Sequence, residues 1–141
     1  MSVFENHDPD SLIGSVLDGR FRLETELSRV TASTTYSATD LLSQLTVVLR
    51  LFSAEFSIGN GAALLEQAAV MRQIDHPHIV RLTSFGRTAV KETDRVYVVH
   101  EQLLGGSLQD MIDRNRLLTP SQALVVGVEV CRALDYAHKR G

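Results

Sequence analysis

The chain has 141 residues and a mass of 15.6 kDa, enough for one domain with one core and too short for two of ordinary size. Hydrophobic residues make up 44% and charged residues 22%, a globular composition that excludes a disordered chain and a collagen. A net charge of −3 and a pI of about 5.9 give no general attraction to nucleic acid or anionic lipid.

The single cysteine, Cys131, excludes an intrachain disulfide framework. The acidic opening stretch lacks the basic and apolar regions of a signal peptide. No run approaches the roughly 18 apolar residues of a membrane span. A cytoplasmic chain is expected. Of the 14 basic residues, 12 are Arg and two are Lys, Lys91 and Lys139.

Residues 1–19 are predicted to form an arm, pinned to the domain by Leu12, Ile13, Val16 and Leu17. From Arg20 the pattern has period two: Phe21, Leu23 and Leu27 alternate with Arg22, Glu24 and Glu26, which predicts a half-exposed strand. After a polar stretch over 28–33, Thr34–Ala38 is β-branched and aromatic enough for a second strand. Asp40–Gln44 is a turn candidate. Leu45–Phe52 is apolar with one charge, as in a buried strand.

Ser57, Gly59, Asn60 and Gly61 then break the chain. Leu64, Ala68, Met71 and Ile74 mark a helical stripe, ended by Asp75-His76-Pro77, because the residue before proline is pushed out of the helical region. Ile79–Phe85 and Arg95–Glu101 are predicted strands, joined through polar Lys91–Asp94. Ser107 with Asp110 signals a helix start. Thr119-Pro120-Ser121-Gln122 signals another, with an N-cap Thr, Pro at the first helical position and Gln at the third. That helix runs through Leu124, Val128, Cys131, Leu134 and Ala137. His138, Lys139 and Arg140 favour its negative end, and Gly141 is a candidate C-cap. Three strands, a helix, two strands and two helices make an α+β plan.

In this order the landmarks resemble the small lobe of a protein kinase, especially bacterial Ser/Thr kinases. The resemblance covers residues 18 to 141. Asp18-Gly19-Arg20-Phe21-Arg22-Leu23 is similar to the entry of the first strand. Val47-Val48-Leu49-Arg50-Leu51 stands where the family has V-A-x-K. His76-Pro77-His78-Ile79-Val80 resembles the H-P-x-I-V after the C helix. Val98-Val99-His100-Glu101 resembles the strand entering the hinge. Gly105-Gly106-Ser107-Leu108 resembles the G-G-S-L opening helix D, and Ala133–His138 the end of helix E.

The resemblance implies a five-stranded antiparallel sheet with the C helix, followed by two large-lobe helices. It divides the chain into an arm (1–19), a small lobe with hinge (20–103) and the start of a large lobe (104–141). It puts the nucleotide cleft on Leu27, Ser28, Val30, Ser33, Thr35, Val48, Arg50, Gln67, His100, Glu101 and Leu103.

Kinases hold ATP phosphates under a glycine-rich loop, with a strand Lys on the phosphates paired to a helix Glu. The glycines let the backbone approach the phosphates. Here the three positions fall on Ser28, Val30 and Ser33, and no Gly occurs between Gly19 and Gly59. Val30 is β-branched and puts methyl groups where phosphate oxygens would lie. The Lys position is Arg50, a planar fork in place of a compact ammonium, and no Lys precedes Lys91. The Glu position falls on Gln67, with Glu66 as the alternative if the helix is shifted by one residue. Arg50 is then either a phosphate contact or a strand charge satisfied by Glu66 or solvent. The resemblance puts the catalytic loop and the D-F-G metal ligand beyond Gly141, so it implies no catalytic and no metal-binding residue here.

Other signals have bland readings. His76 and His78 lack carboxylate or Cys company for a metal. His100-Glu101 opens like a zincin motif, but Leu104 stands where the second His is needed. In the resemblance His100 takes the gatekeeper position. Cys131 is expected as a buried, inert thiol on an apolar helix face. Arg114-Asn115-Arg116 reads as a solvated helix end.

Two functions follow. The first is a pseudokinase-like regulatory or protein-binding domain, with no cofactor, acting through the C-helix face or helix E by protein binding or self-association. Swapped packing or helix E folding back on the sheet would serve the same need. The second is the front part of an active ATP-dependent Ser/Thr kinase, for which ATP and Mg²⁺ would be cofactors.

Overall fold

The computed structural model describes residues 10–141. The beginning of the predicted arm, 1–9, lies outside the described residues. The elements are β1 (Val16–Leu17), β2 (Phe21–Val30), β3 (Ser33–Asp40), β4 (Leu45–Phe52), α1 (Ala54–Met71), β5 (Leu82–Val90), β6 (Thr93–Glu101), α2 (Leu108–Asp113) and α3 (Pro120–His138). The sheet order is β1-β2-β3-β4-β6-β5, and every neighbouring pair is antiparallel.

The sheet has six strands, not five, because Val16–Leu17 of the arm pairs with Phe21–Arg22. Leu17 is buried and Leu12 packs beside it, whereas Ile13 and Val16 are exposed. The turn into β2 needs positive φ at Asp18 and Gly19. Tyr97 Oη donates to Asp18 Oδ2 at 2.6 Å, tying this turn to β6. At the start of β2, Arg20 grips Asp40 with two bonds, Nε–Oδ1 at 2.9 Å and Nη2–Oδ2 at 2.7 Å.

The period-two pattern fails along β2. Leu27, grouped by alternation with Phe21 and Leu23, is exposed. The register with β3 slips between Leu23 and Thr25 and again between Glu26 and Ser28. Each extra residue turns the following side chains to the other face. The strand continues to Val30 and leaves only Thr31-Ala32 as a turn.

Two cores result. One holds Phe21, Leu23, Tyr36, Leu49, Leu51, Tyr97 and Val99, enclosed by the curl of the sheet as β1 returns against β5. The other holds Phe52, Ala68, Leu82, Val96 and Val98 on the opposite face, under α1.

α1 begins earlier than predicted. It is capped by Ser53, which accepts from Phe56 N at 3.2 Å, and runs through Ser57, Gly59, Asn60 and Gly61. These residues do not break the helix. Ser57 and Gly61 are buried, and their small size lets α1 lie close to β6. Ser57 Oγ accepts from Val96 N at 3.0 Å and donates to Ser53 O at 2.7 Å. A Cβ on Gly61 would lie 3.0 Å from Val96 Cγ1. Tertiary contact outweighs the low helix propensity of these residues. The helix ends at Met71, capped by Arg72, six residues before Pro77, where it was expected to stop.

β5 and β6 both start or end away from their predicted bounds, because they form one long hairpin. Lys91 and Glu92 at its tip both have positive φ, 48° and 65°. α2 and α3 start as predicted, on the Ser107 and Thr119 capping boxes. α3 ends on Lys139 rather than Gly141. Among the described residues no helix is long and apolar enough to cross a membrane.

Candidate functional site

β4 presents alternate residues to the α1 side of the sheet. Val48 lies opposite His100, and Arg50 opposite Val98 on β6 and Thr35 on β3. With α1 and the loop before β5 they bound an open cleft of about 500 Å³. Thr35, Val48, Arg50, His100, Glu101 and Leu103 line it, together with Met71, Ile79 and Val80. The first six were singled out in the sequence. The last three were not: Met71 had been counted into the helix stripe, and Ile79 and Val80 into a strand. In the structure that strand starts at Leu82, and 79–80 are loop.

Leu27, Ser28, Val30, Ser33 and Gln67 do not line the cleft. Ser33 is buried, whereas Leu27 and Val30 are exposed. Val30 pairs with Ser33 and closes the β2–β3 hairpin. No residue of this hairpin is among the described residues with positive φ. The tip is braced by Arg29, whose Nη2 and Nε donate to Glu26 at 2.6 and 3.0 Å. The segment is thus an ordered ladder carrying an isopropyl group near its end.

Arg50 donates from Nε to Thr35 Oγ1 at 3.4 Å. Among the described residues no carboxylate lies within ion-pair distance of it. Glu66 and Gln67 are both exposed, and neither is bonded to Arg50. Gln67 precedes Met71 by four positions and shares its helix face, while Glu66 lies about 100° around.

His100 is half-buried at the back of the cleft. Burial first, and the charge of Arg50 second, lower its pKa, so the neutral imidazole is favoured at neutral pH. Glu101 bridges to the preceding loop: its Oε1 accepts from Arg81 N at 2.9 Å, and its own N–H donates to Arg81 O at 3.0 Å.

His76 and His78 organise the loop. His76 Nδ1 accepts from His78 N at 3.1 Å, and its ring lies 4.9 Å from that of Tyr136. His78 stands 3.9 Å from Glu129. α3 therefore packs on this loop and does not fold back on the sheet. Its other face is bare: Leu124, Val125, Val128 and Leu134 are exposed. Cys131 is exposed with them, contrary to the expected buried thiol, because no element covers that face.

The family model described as "Protein kinase domain" matches residues 21–141. The chain is 28% identical over 135 residues to the Ser/Thr protein kinase PknH of Mycobacterium tuberculosis, covering 94% of this chain and 21% of that protein. It is 25% identical over 130 residues to PrkC of Bacillus subtilis, covering 91% and 19%. Among solved structures, the PknI kinase domain of M. tuberculosis matches with a TM-score of 0.75 at 21% identity, over 91% of this chain and 51% of that one. The chain thus spans about half of that solved domain and about a fifth of these two kinases.

Proposed function

The chain belongs to the protein kinase domain family, and we propose that it serves as a pseudokinase-like regulatory or protein-binding domain. Its cleft does not engage Mg-ATP in the manner of an active kinase. The observation that carries this reading is that Arg50, which the family resemblance puts at the phosphate-contact position, has no carboxylate partner among the described residues. Val30 and Gln67 depart from the same apparatus. A fork on Arg50 cannot place its charge where a Lys ammonium would. Gln67 cannot supply the ion pair that fixes such a charge.

Binding would then use protein surfaces. The bare face of α3 and the outer face of α1 are the candidates. Contiguous exposed apolar side chains on a soluble protein mark an interaction site or an aggregation liability.

A second reading, the front part of an active Ser/Thr kinase, is favoured by the bacterial Ser/Thr kinases among its relatives and by the charge retained at Arg50. Melting curves with ATP, with and without Mg²⁺, separate the two. A ligand at 100 times its Kd stabilises the native state by about 2.7 kcal/mol. No ATP-dependent rise is expected on the first reading. A clear rise would support the second.

A further inference from the structure

Among the described residues the cleft holds a cation with no anionic partner. Of these residues Arg50 alone brings a cationic side chain to the lining, and Thr35 Oγ1 is the polar contact it makes. Val48, Met71, Ile79 and Leu103 supply apolar walls, and His100 closes the back. A guanidinium fork matches the two oxygens of a carboxylate. Apolar walls beside one charge are the usual composition of a small-molecule site. We propose that this cleft binds, without a metal ion, a flat apolar organic acid whose single carboxylate sits on Arg50. The inference rests on the reading that the cleft does not hold Mg-ATP as a kinase does. It goes further by naming what the cleft takes. One anionic group is specified because only one cation lines the cavity, and Glu101 adds a negative charge to the same wall.

Proton uptake is coupled to this binding. The charged groups around His100 are Arg50 on β4 and the adjacent Glu101, while α1 offers Met71 and β3 offers Thr35. Arg50 opposes protonation of His100. An anion on Arg50 removes that opposition, so the bound state takes up a proton more readily than the free state. By linkage, affinity rises as pH falls through the bound-state value of His100, and levels off below the free-state value.

Calorimetry with naphthalene-2-carboxylate and its neutral carboxamide, both in EDTA, tests the proposal. The acid is expected to bind about 10-fold or more tightly than the amide, the size of one charge-assisted contact. Arg50→Gln is expected to erase that difference, and Arg50→Lys to retain part of it. Affinity for the acid is expected to increase from pH 7 to pH 5 in the native chain and to stay flat in His100→Gln. Equal binding of acid and amide, no binding of either, or acid binding unchanged in Arg50→Gln would overturn the proposal. Failure of the regulatory reading is distinguishable, because it appears as stabilisation by ATP, which neither probe reports.

Discussion

Arg50 Nε lies 3.4 Å from Thr35 Oγ1 across the β3–β4 pair, and its guanidinium stands open to the cleft beside His100. A cation left unneutralised on a concave surface is poised to attract an anion. Without a fixed carboxylate beside it, nothing holds the fork in one position. Positioning is the larger part of what phosphoryl transfer asks of a protein. On the proposed reading, the register of β3, β4 and β6 brings Arg50 to the phosphate position with altered chemistry.

The Arg20–Asp40 pair is expected to be a main stabiliser of the first hairpin. Asp40 is buried, and Arg20 holds its carboxyl far below the usual carboxylate range, aided by Leu42 N. Arg20 is partly exposed, so solvent screens part of the gain. Asp40→Ala is expected to cost about 2 kcal/mol at pH 7 in urea unfolding. The folded pKa is depressed, so this contribution is complete above the unfolded value of about 4 and fades as pH falls toward the folded one. The gap between variant and native chain is expected to narrow below pH 4. A gap that widens there would contradict the assignment.

Ser57→Ala is expected to destabilise by about 1–3 kcal/mol, because it orphans the buried Val96 N–H. Gly61→Val is expected to cost a similar amount by pushing α1 off Val96. Chemical unfolding checks both. If either variant were as stable as the native chain, the close approach of α1 to β6 would not be as described.

Most of the architecture was legible in the sequence. The capping boxes at Ser107 and Thr119 gave two helix starts, and the ordered landmarks gave the fold. What was not legible had tertiary causes. Ser57 and Gly61 look like breakers because propensity counts only the isolated helix; their value is in fitting against Val96. Leu27 looks like a core residue because alternation assumes a regular ladder, and the slips in β2 are invisible to it. Cys131 looks buried because a helical stripe shows which face is apolar, not whether anything covers it. The cleft was half legible: strand residues alternate predictably, whereas Ile79 and Val80 enter it from a loop.

The bare face of α3 is expected to make the chain associate. Sedimentation at increasing concentration should show a rising average mass, reduced by Leu124→Glu or Val128→Glu, whose exposed positions leave the fold intact. Cys131 should react with a thiol reagent in the folded dilute chain and become protected at high concentration. A monomer at all concentrations, with Cys131 equally reactive throughout, would contradict this surface as a contact between copies.

On the proposed reading, three side chains, Val30, Arg50 and Gln67, and not the fold, disable the nucleotide cleft. The most direct test restores the family's residues: Val30→Gly, Arg50→Lys and Gln67→Glu in one chain, with melting temperature followed against ATP and Mg²⁺. The native chain is expected to show no ATP-dependent shift and the triple variant to gain one of several degrees, the range that about 2.7 kcal/mol produces in a domain of this size. An equal shift in both chains would contradict that reading.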